Sequence, residues 1–181
     1  AREVDELAAT VTDSGGCVVV PAFAGLGAPH WDPYARGALM GVTRGTSKAH
    51  VCRASLEAVA LQSVEVLESM ERDSGVKIRE LRVDGGAANS DLLMQIQSDL
   101  LRRQVVRSTR AETTAFGAAA LAGLATGVWR EREEIGGCWG VDRRFNPAEQ
   151  EGEEVRARWD RAVACVRNWE HGGPGKSPGG V

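Results

Sequence analysis

The chain predicts an α/β domain, and three features of its sequence carry that reading. A β-branched run at 17–20, Cys17-Val18-Val19-Val20, is set off by Gly15-Gly16 before it and Pro21 after it. A long helix-patterned segment follows Thr46-Ser47. A second β-type run, 78–83, ends at Gly85-Gly86 and passes directly into a helix starting near Ser90. Strands alternating with helices indicate α/β, and no internal repeat suggests a solenoid.

The elements follow in order. Residues from Ala1 to Ala8 read as a helix already in progress, without an initiator methionine or an N-cap, and Asp13-Ser14-Gly15-Gly16 ends it. The expectation from this start is a fragment. Residues 17–20 form a buried strand, a Gly/Pro-rich loop runs to Arg36, and 37–42 form a second strand. Thr46-Ser47 offers an N-cap to a helix in which Cys52, Leu56, Val59, Ser63, Val66 and Met70 share one face, and Gly75 stops it. After strand 78–83, helix 90–101 has Leu92, Leu93, Ile96 and Leu100 as its apolar side. Residues 104–107 form a short strand. Thr113-Thr114 caps a helix of small residues at 115–125, where Gly117, Ala118 and Gly123 allow close packing, and Gly127 ends it. Residues 149–169 form a last amphipathic helix. Residues 1–170 are expected to be one domain, and the Gly/Pro-rich stretch 171–181 a disordered tail.

Composition narrows the function. A chain of 181 residues with 43% hydrophobic content can bury a sizeable core. A formal net charge of −3, with no basic cluster beyond Arg102-Arg103 and Arg143-Arg144, argues against a nucleic-acid binder; both pairs read as solvated surface. Cys17, Cys52, Cys138 and Cys165 lack CxxC spacing, so neither a zinc site nor a disulfide framework is indicated, and reduced thiols fit a cytoplasmic protein. The longest small-apolar run, 115–125, is too short to span a bilayer.

The stretch Leu81-Arg82-Val83-Asp84-Gly85-Gly86-Ala87-Ala88-Asn89-Ser90 carries the chemistry. Two glycines let a ligand approach the backbone closely, and the N–H groups of the next helix favour a polar or anionic group. By itself, the same pattern also serves as an ordinary strand-to-helix turn.

The blocks GLGAPHWDPYARGALMGVTRGT, RVDGGAANSDLLMQIQSDLL and ETTAFGAAALAGLATGVW decide between the two. In order and spacing, from about Cys17 to Trp129, they resemble the C-terminal half of the FGGY family of carbohydrate kinases, and within it the branch that phosphorylates glycerol. Phe145-Asn146-Pro147, Trp159 and Trp169 extend the likeness. The resemblance implies the ribonuclease-H-like ATPase fold of actin and hexokinase, a mixed sheet flanked by helices. It further implies transfer of the γ-phosphate of ATP to glycerol with Mg²⁺, and a partner domain upstream of this one.

By the same resemblance, Gly85, Gly86 and Ala87 form the floor under the nucleotide. The family's adenine-side Asn falls on Ser90 here, with Asn89 one residue earlier, so either Ser90 or Asn89 makes that contact, or Ser90 serves only as an N-cap. The family's general base is an aspartate upstream of this chain, so no catalytic residue is named. Other readings are another FGGY kinase acting on a pentose or similar polyol, and a non-catalytic nucleotide-binding or interaction module. Formation of a homo-oligomer stays open.

Several residues outside the glycine turn invite a functional label. Asp84 either holds magnesium through water or, as expected, satisfies backbone N–H groups of the turn. Trp31 either covers a small polyol or plugs a core edge, the latter being expected. His30, with no partner visible nearby in the sequence, reads as polar surface, and Asp32 and Arg36 as a pair across the loop. The loop is expected to be structural. His50, Arg53 and Glu57 share a helix face and read as a solvated ion-pair face rather than a metal site.

Overall fold

A computed structural model of the chain describes residues 2–109, 112–136, 140–148 and 152–171. The elements are α1 (Arg2–Ala8), β1 (Val18–Val20), β2 (Ala38–Met40), α2 (Lys48–Ser74), β3 (Glu80–Val83), α3 (Asp91–Leu101), β4 (Gln104–Ser108), α4 (Thr113–Thr126), α5 (Arg132–Gly136), β5 (Val141–Phe145) and α6 (Glu153–Val166). Short 3₁₀ turns occupy Gly86–Asn89 and Trp169–His171.

The strands divide into an antiparallel pair, β1 with β2, and a mixed sheet in the order β3-β4-β5. In the mixed sheet β3 and β4 run parallel, with Val83 opposite Arg107, and β5 returns antiparallel with Phe145 opposite Val105. The parallel pair requires a crossover, and α3 supplies it. Between the sheets the core gathers Val20, Leu61, Val64, Leu93, Ile96, Leu100, Val105, Phe145, Trp159 and Val163, drawn from both sheets and from α2, α3 and α6. Burying apolar surface at roughly 25 cal/mol per Å² is what holds these layers together.

Local signals account for most element ends. Ser47 is the N-cap of α2, accepting from the His50 N–H, while its own N–H donates to His50 Nδ1 at 3.0 Å, a reciprocal box. Gly75 and Gly127 close α2 and α4 in the left-handed conformation.

Other expectations are corrected. The opening helix stops at Ala8, well before the Asp13–Gly16 turn. On α2 the face through Val59, Val66 and Met70 is exposed, and the buried stripe runs through Ala54, Leu56, Glu57, Ala58, Leu61 and Val64. Alanines thus alternate with Leu56, Leu61 and Val64 on the side that meets the neighbours. Neither Thr113 nor Thr114 caps α4; both lie in its first turn, after Glu112, which makes no side-chain cap bond. Of the small residues in α4, Gly123 backs closely onto the Trp129 ring, whereas Gly117 faces open space. The last helix spans Glu153–Val166, not 149–169; residues 149–151 lie outside the described residues, as do Cys138 and 172–181 of the expected tail. The two basic pairs are not merely solvated. Arg103 forks onto the buried Glu71 carboxylate, Arg102 pairs with Glu153, Arg143 with Asp91, and Arg144 with Glu80.

Candidate functional site

At the carboxyl end of β3 the backbone turns at Gly85, whose φ of 83° and ψ of 178° place it in a region open essentially to glycine alone. The 3₁₀ turn Gly86–Asn89 follows, closed by the Ala88 N–H donating to the Gly85 carbonyl at 3.2 Å. Gly86, Ala87 and Asn89 are exposed, and a Cβ placed on Gly86 would meet nothing within 4 Å. Gly86 does not share the positive φ of Gly85, so only Gly85 needs glycine for the backbone itself.

Ser90 begins α3 as its N-cap. Its Oγ accepts from the Leu93 N–H at 3.0 Å and donates to Asp5 Oδ1 at 2.8 Å, so its hydroxyl is engaged on both sides. Asn89 instead lines a polar cavity of about 230 Å³ with Asp84, Gly85, Ala88, Arg107, Ser108, Thr109 and Asp142. Ala87 and Ala88 border a more open apolar groove with Val59, Val66, Leu67, Leu81 and Val83, where the exposed stripe of α2 ends up. Of the residues expected at the site, Gly85 and Asn89 therefore share one cavity, Ala87 turns to the groove beside it, and Gly86 and Ser90 line neither.

Arg107 was not singled out in the sequence. Its place at the end of a parallel strand, one strand over from the glycine turn, is the signal that could have found it. Its Nη1 donates to the Ala88 carbonyl at 2.9 Å and to Asp91 Oδ1 at 2.7 Å, and its Nε to Asp142 Oδ2 at 2.6 Å.

Residues 2–126 match the model of the C-terminal domain of the FGGY family of carbohydrate kinases. The chain belongs to the FGGY family. This FGGY domain is 55% identical over 170 residues to a glycerol kinase of Deinococcus radiodurans and 57% identical over 171 residues to one of Aromatoleum aromaticum. Each match takes in 93% of this chain and 34% of the relative, so the chain spans about a third of the length of the curated relatives it matches. Its fold is similar to that of Plasmodium falciparum glycerol kinase with ADP, with a TM-score of 0.78 at 31% identity over 90% of this chain and 33% of that one. A ligand-bound xylulose kinase from Lactobacillus acidophilus shares the fold at a TM-score of 0.77 and 22% identity, over 93% of this chain and 36% of that one.

The remaining candidates of the FGGY domain resolve into structural roles. His30 is not a lone surface residue: its Nε2 lies 2.9 Å from Glu65 Oε1, which also accepts from Trp159 Nε1 at 2.9 Å. Trp31 plugs nothing, being 77% exposed. Asp32 does not pair with Arg36. Burial pushes its carboxyl pKa up, but N–H donors from Asn168, Tyr34 and Ala35 outweigh that and hold it below the usual range. Arg36 reaches Glu170 instead, at 2.6 Å. The His50, Arg53, Glu57 face is not solvated as a whole. Glu57 is buried, which raises its pKa against the Ser14 and Arg53 bonds that lower it, while His50 is spent on the Ser47 cap. Among the described residues no three His, Cys, Asp or Glu side chains gather as a metal would require.

Proposed function

We propose that this chain is the nucleotide-binding domain of an ATP-dependent glycerol kinase, a transferase of glycerol metabolism. The observation that carries the reading is the Gly85–Asn89 turn. Its bare backbone sits at the carboxyl ends of two parallel strands beside a polar cavity, where open α/β sheets take their ligands. The 55% and 57% identities to glycerol kinases support glycerol over other polyols.

In this reading Gly85, Gly86 and Ala87 support the nucleotide, Asn89 offers its amide to the adenine side, and Ser90 holds the turn from below as the cap of α3. A terminal hydroxyl oxygen of glycerol attacks the γ-phosphorus, the bond to the β,γ-bridging oxygen breaks, and ADP leaves. The hydroxyl proton passes to a carboxylate upstream of this chain. Positioning supplies most of the catalysis in such a transfer, and this domain's share of it is to hold the nucleotide in register. Mg²⁺ would neutralise the phosphate charge, and it commonly binds through one or two carboxylates plus the phosphates rather than an all-protein cage; of the two carboxylates that line this cavity Asp142 is taken up by Arg107, and Asp84, exposed at the strand end, is the one that would hold the ion. The free Cys17, Cys52 and Cys165 fit a reducing, cytoplasmic setting. Among the described residues no helix is long and apolar enough to cross a membrane.

The test is a coupled kinase assay on the longer protein that carries this domain upstream-complete, comparing wild type with Gly86→Val. A valine in the open space above Gly86 should raise the KM for ATP about tenfold or more and that for glycerol by less than about twofold, the loss of close backbone approach being specific to the nucleotide. Equal changes in both, or no phosphorylation of glycerol by wild type, would overturn the reading.

A further inference from the structure

We infer that Arg107 is the positioning residue of the nucleotide site, holding the Gly85–Asn89 turn at the height the nucleotide needs; the inference rests on the reading of that turn given above. The guanidinium is largely buried, 14% exposed, and lies 5.4 Å over the Phe145 ring, so its orientation is set by packing as well as by charge. From there one side chain ties together three elements: the carbonyl of Ala88 in the turn, Asp91 in the first turn of α3, and Asp142 on β5. A turn this short leaves its last carbonyls without helical donors, and Arg107 supplies one to Ala88. The Ala88 side faces the cavity shared by Gly85 and Asn89. Releasing that carbonyl would let the turn tilt about Gly85, the residue that joins it to the β3 side. Asp142 acts as the far anchor, because it turns the guanidinium so that Nη1 points at the turn. Arg143 shares Asp91 but has no bond to Ala88, which makes it the matched control.

The experiment is titration of the longer protein that carries this domain with ADP followed by amide NMR, with far-UV circular dichroism of each variant. Wild type should show saturable shifts at the Gly85 and Gly86 amides. Arg107→Gln should weaken ADP about tenfold, the scale of one charge-assisted hydrogen bond, while core amides keep their dispersion. Arg107→Lys, which can still donate to Ala88, should return to within about threefold of wild type, and Arg143→Ala to within about twofold. Should Arg107→Gln fail to fold, Asp142→Asn decides, with an expected loss of about threefold. ADP binding by Arg107→Gln, or in that event by Asp142→Asn, equal to wild type overturns the positioning role and leaves the nucleotide-site reading standing. Absence of ADP-dependent shifts at Gly85 and Gly86 in wild type overturns both.

Discussion

Gly85 and Gly86 stand side by side, yet only Gly85 is held in a conformation that needs glycine, and exchanging each for alanine would separate fold from the proposed site. At Gly85 the φ of 83° and ψ of 178° are nearly closed to any residue with a Cβ, although the Cβ itself would meet no neighbour within 4 Å. The cost is therefore backbone strain alone, about 1–3 kcal/mol. For a chain of this size each kcal/mol moves the melting temperature by about 2–4 °C, so Gly85→Ala should melt lower by about 4–8 °C at a mid-range cost of about 2 kcal/mol. At Gly86 the backbone is outside the left-handed region and the Cβ again has open space. Alanine there restricts the unfolded chain and should leave stability unchanged or raise it by up to about 1 kcal/mol. Paired thermal and urea melts of the two variants read the first effect, and ADP titration reads the second, where Gly86→Ala should weaken binding. Equal melting temperatures for the two variants would refute the assignment of strain to Gly85 alone.

Two further outcomes follow from buried polar groups. Glu71 accepts from Arg103 and from the Ile78 N–H, which together hold its carboxyl at about 2 against an ordinary 4.5. A depressed folded pKa contributes stability that is whole above about 4.5 and is lost as pH falls toward about 2; Glu71→Gln should melt below wild type at pH 6 and converge on it by pH 2, and a gap constant with pH would contradict this. Trp159, 1% exposed, fills the core and donates to Glu65. Trp159→Phe should cost about 2–3 kcal/mol in urea denaturation through the lost ring volume and hydrogen bond, and a loss below about 0.5 kcal/mol would show that the indole is not the strut described.

Much of the architecture was legible along the chain because the signals are local. Ser47, Gly75, Ser90 and Gly127 act on backbone groups within about four residues, so the residue type and its neighbours suffice to place an element end. The glycine turn after β3 was legible for the same reason, and so was the family, whose three blocks are contiguous words. The charged strand Val141–Phe145 was not, because its side chains are exposed but for Phe145 and leave no period-two apolar pattern. Of the α2 face read from the sequence only Leu56 is buried; the inward stripe runs instead through Leu61, Val64 and several alanines, whose small side chains give a weak apolar signal beside Val59, Val66 and Met70.

The sequence by itself determined the α/β class, the position of the glycine turn and the helix ends marked by Ser47, Gly75, Ser90 and Gly127, since each depends on covalent neighbours and intrinsic backbone preference. Only the tertiary structure decided which groups act together. Arg107 meets Asp91 and Asp142 at separations of 16 and 35 residues, His30 meets Glu65 at 35, and Arg103 meets Glu71 at 32. Those meetings follow from the register that sets Val83 beside Arg107 and from how α2 and α6 pack. Ser90 shows both levels in one side chain: its role as N-cap is local, but its bond to Asp5, 85 residues away, exists only because α1 packs on α2 and so brings Asp5 beside the start of α3.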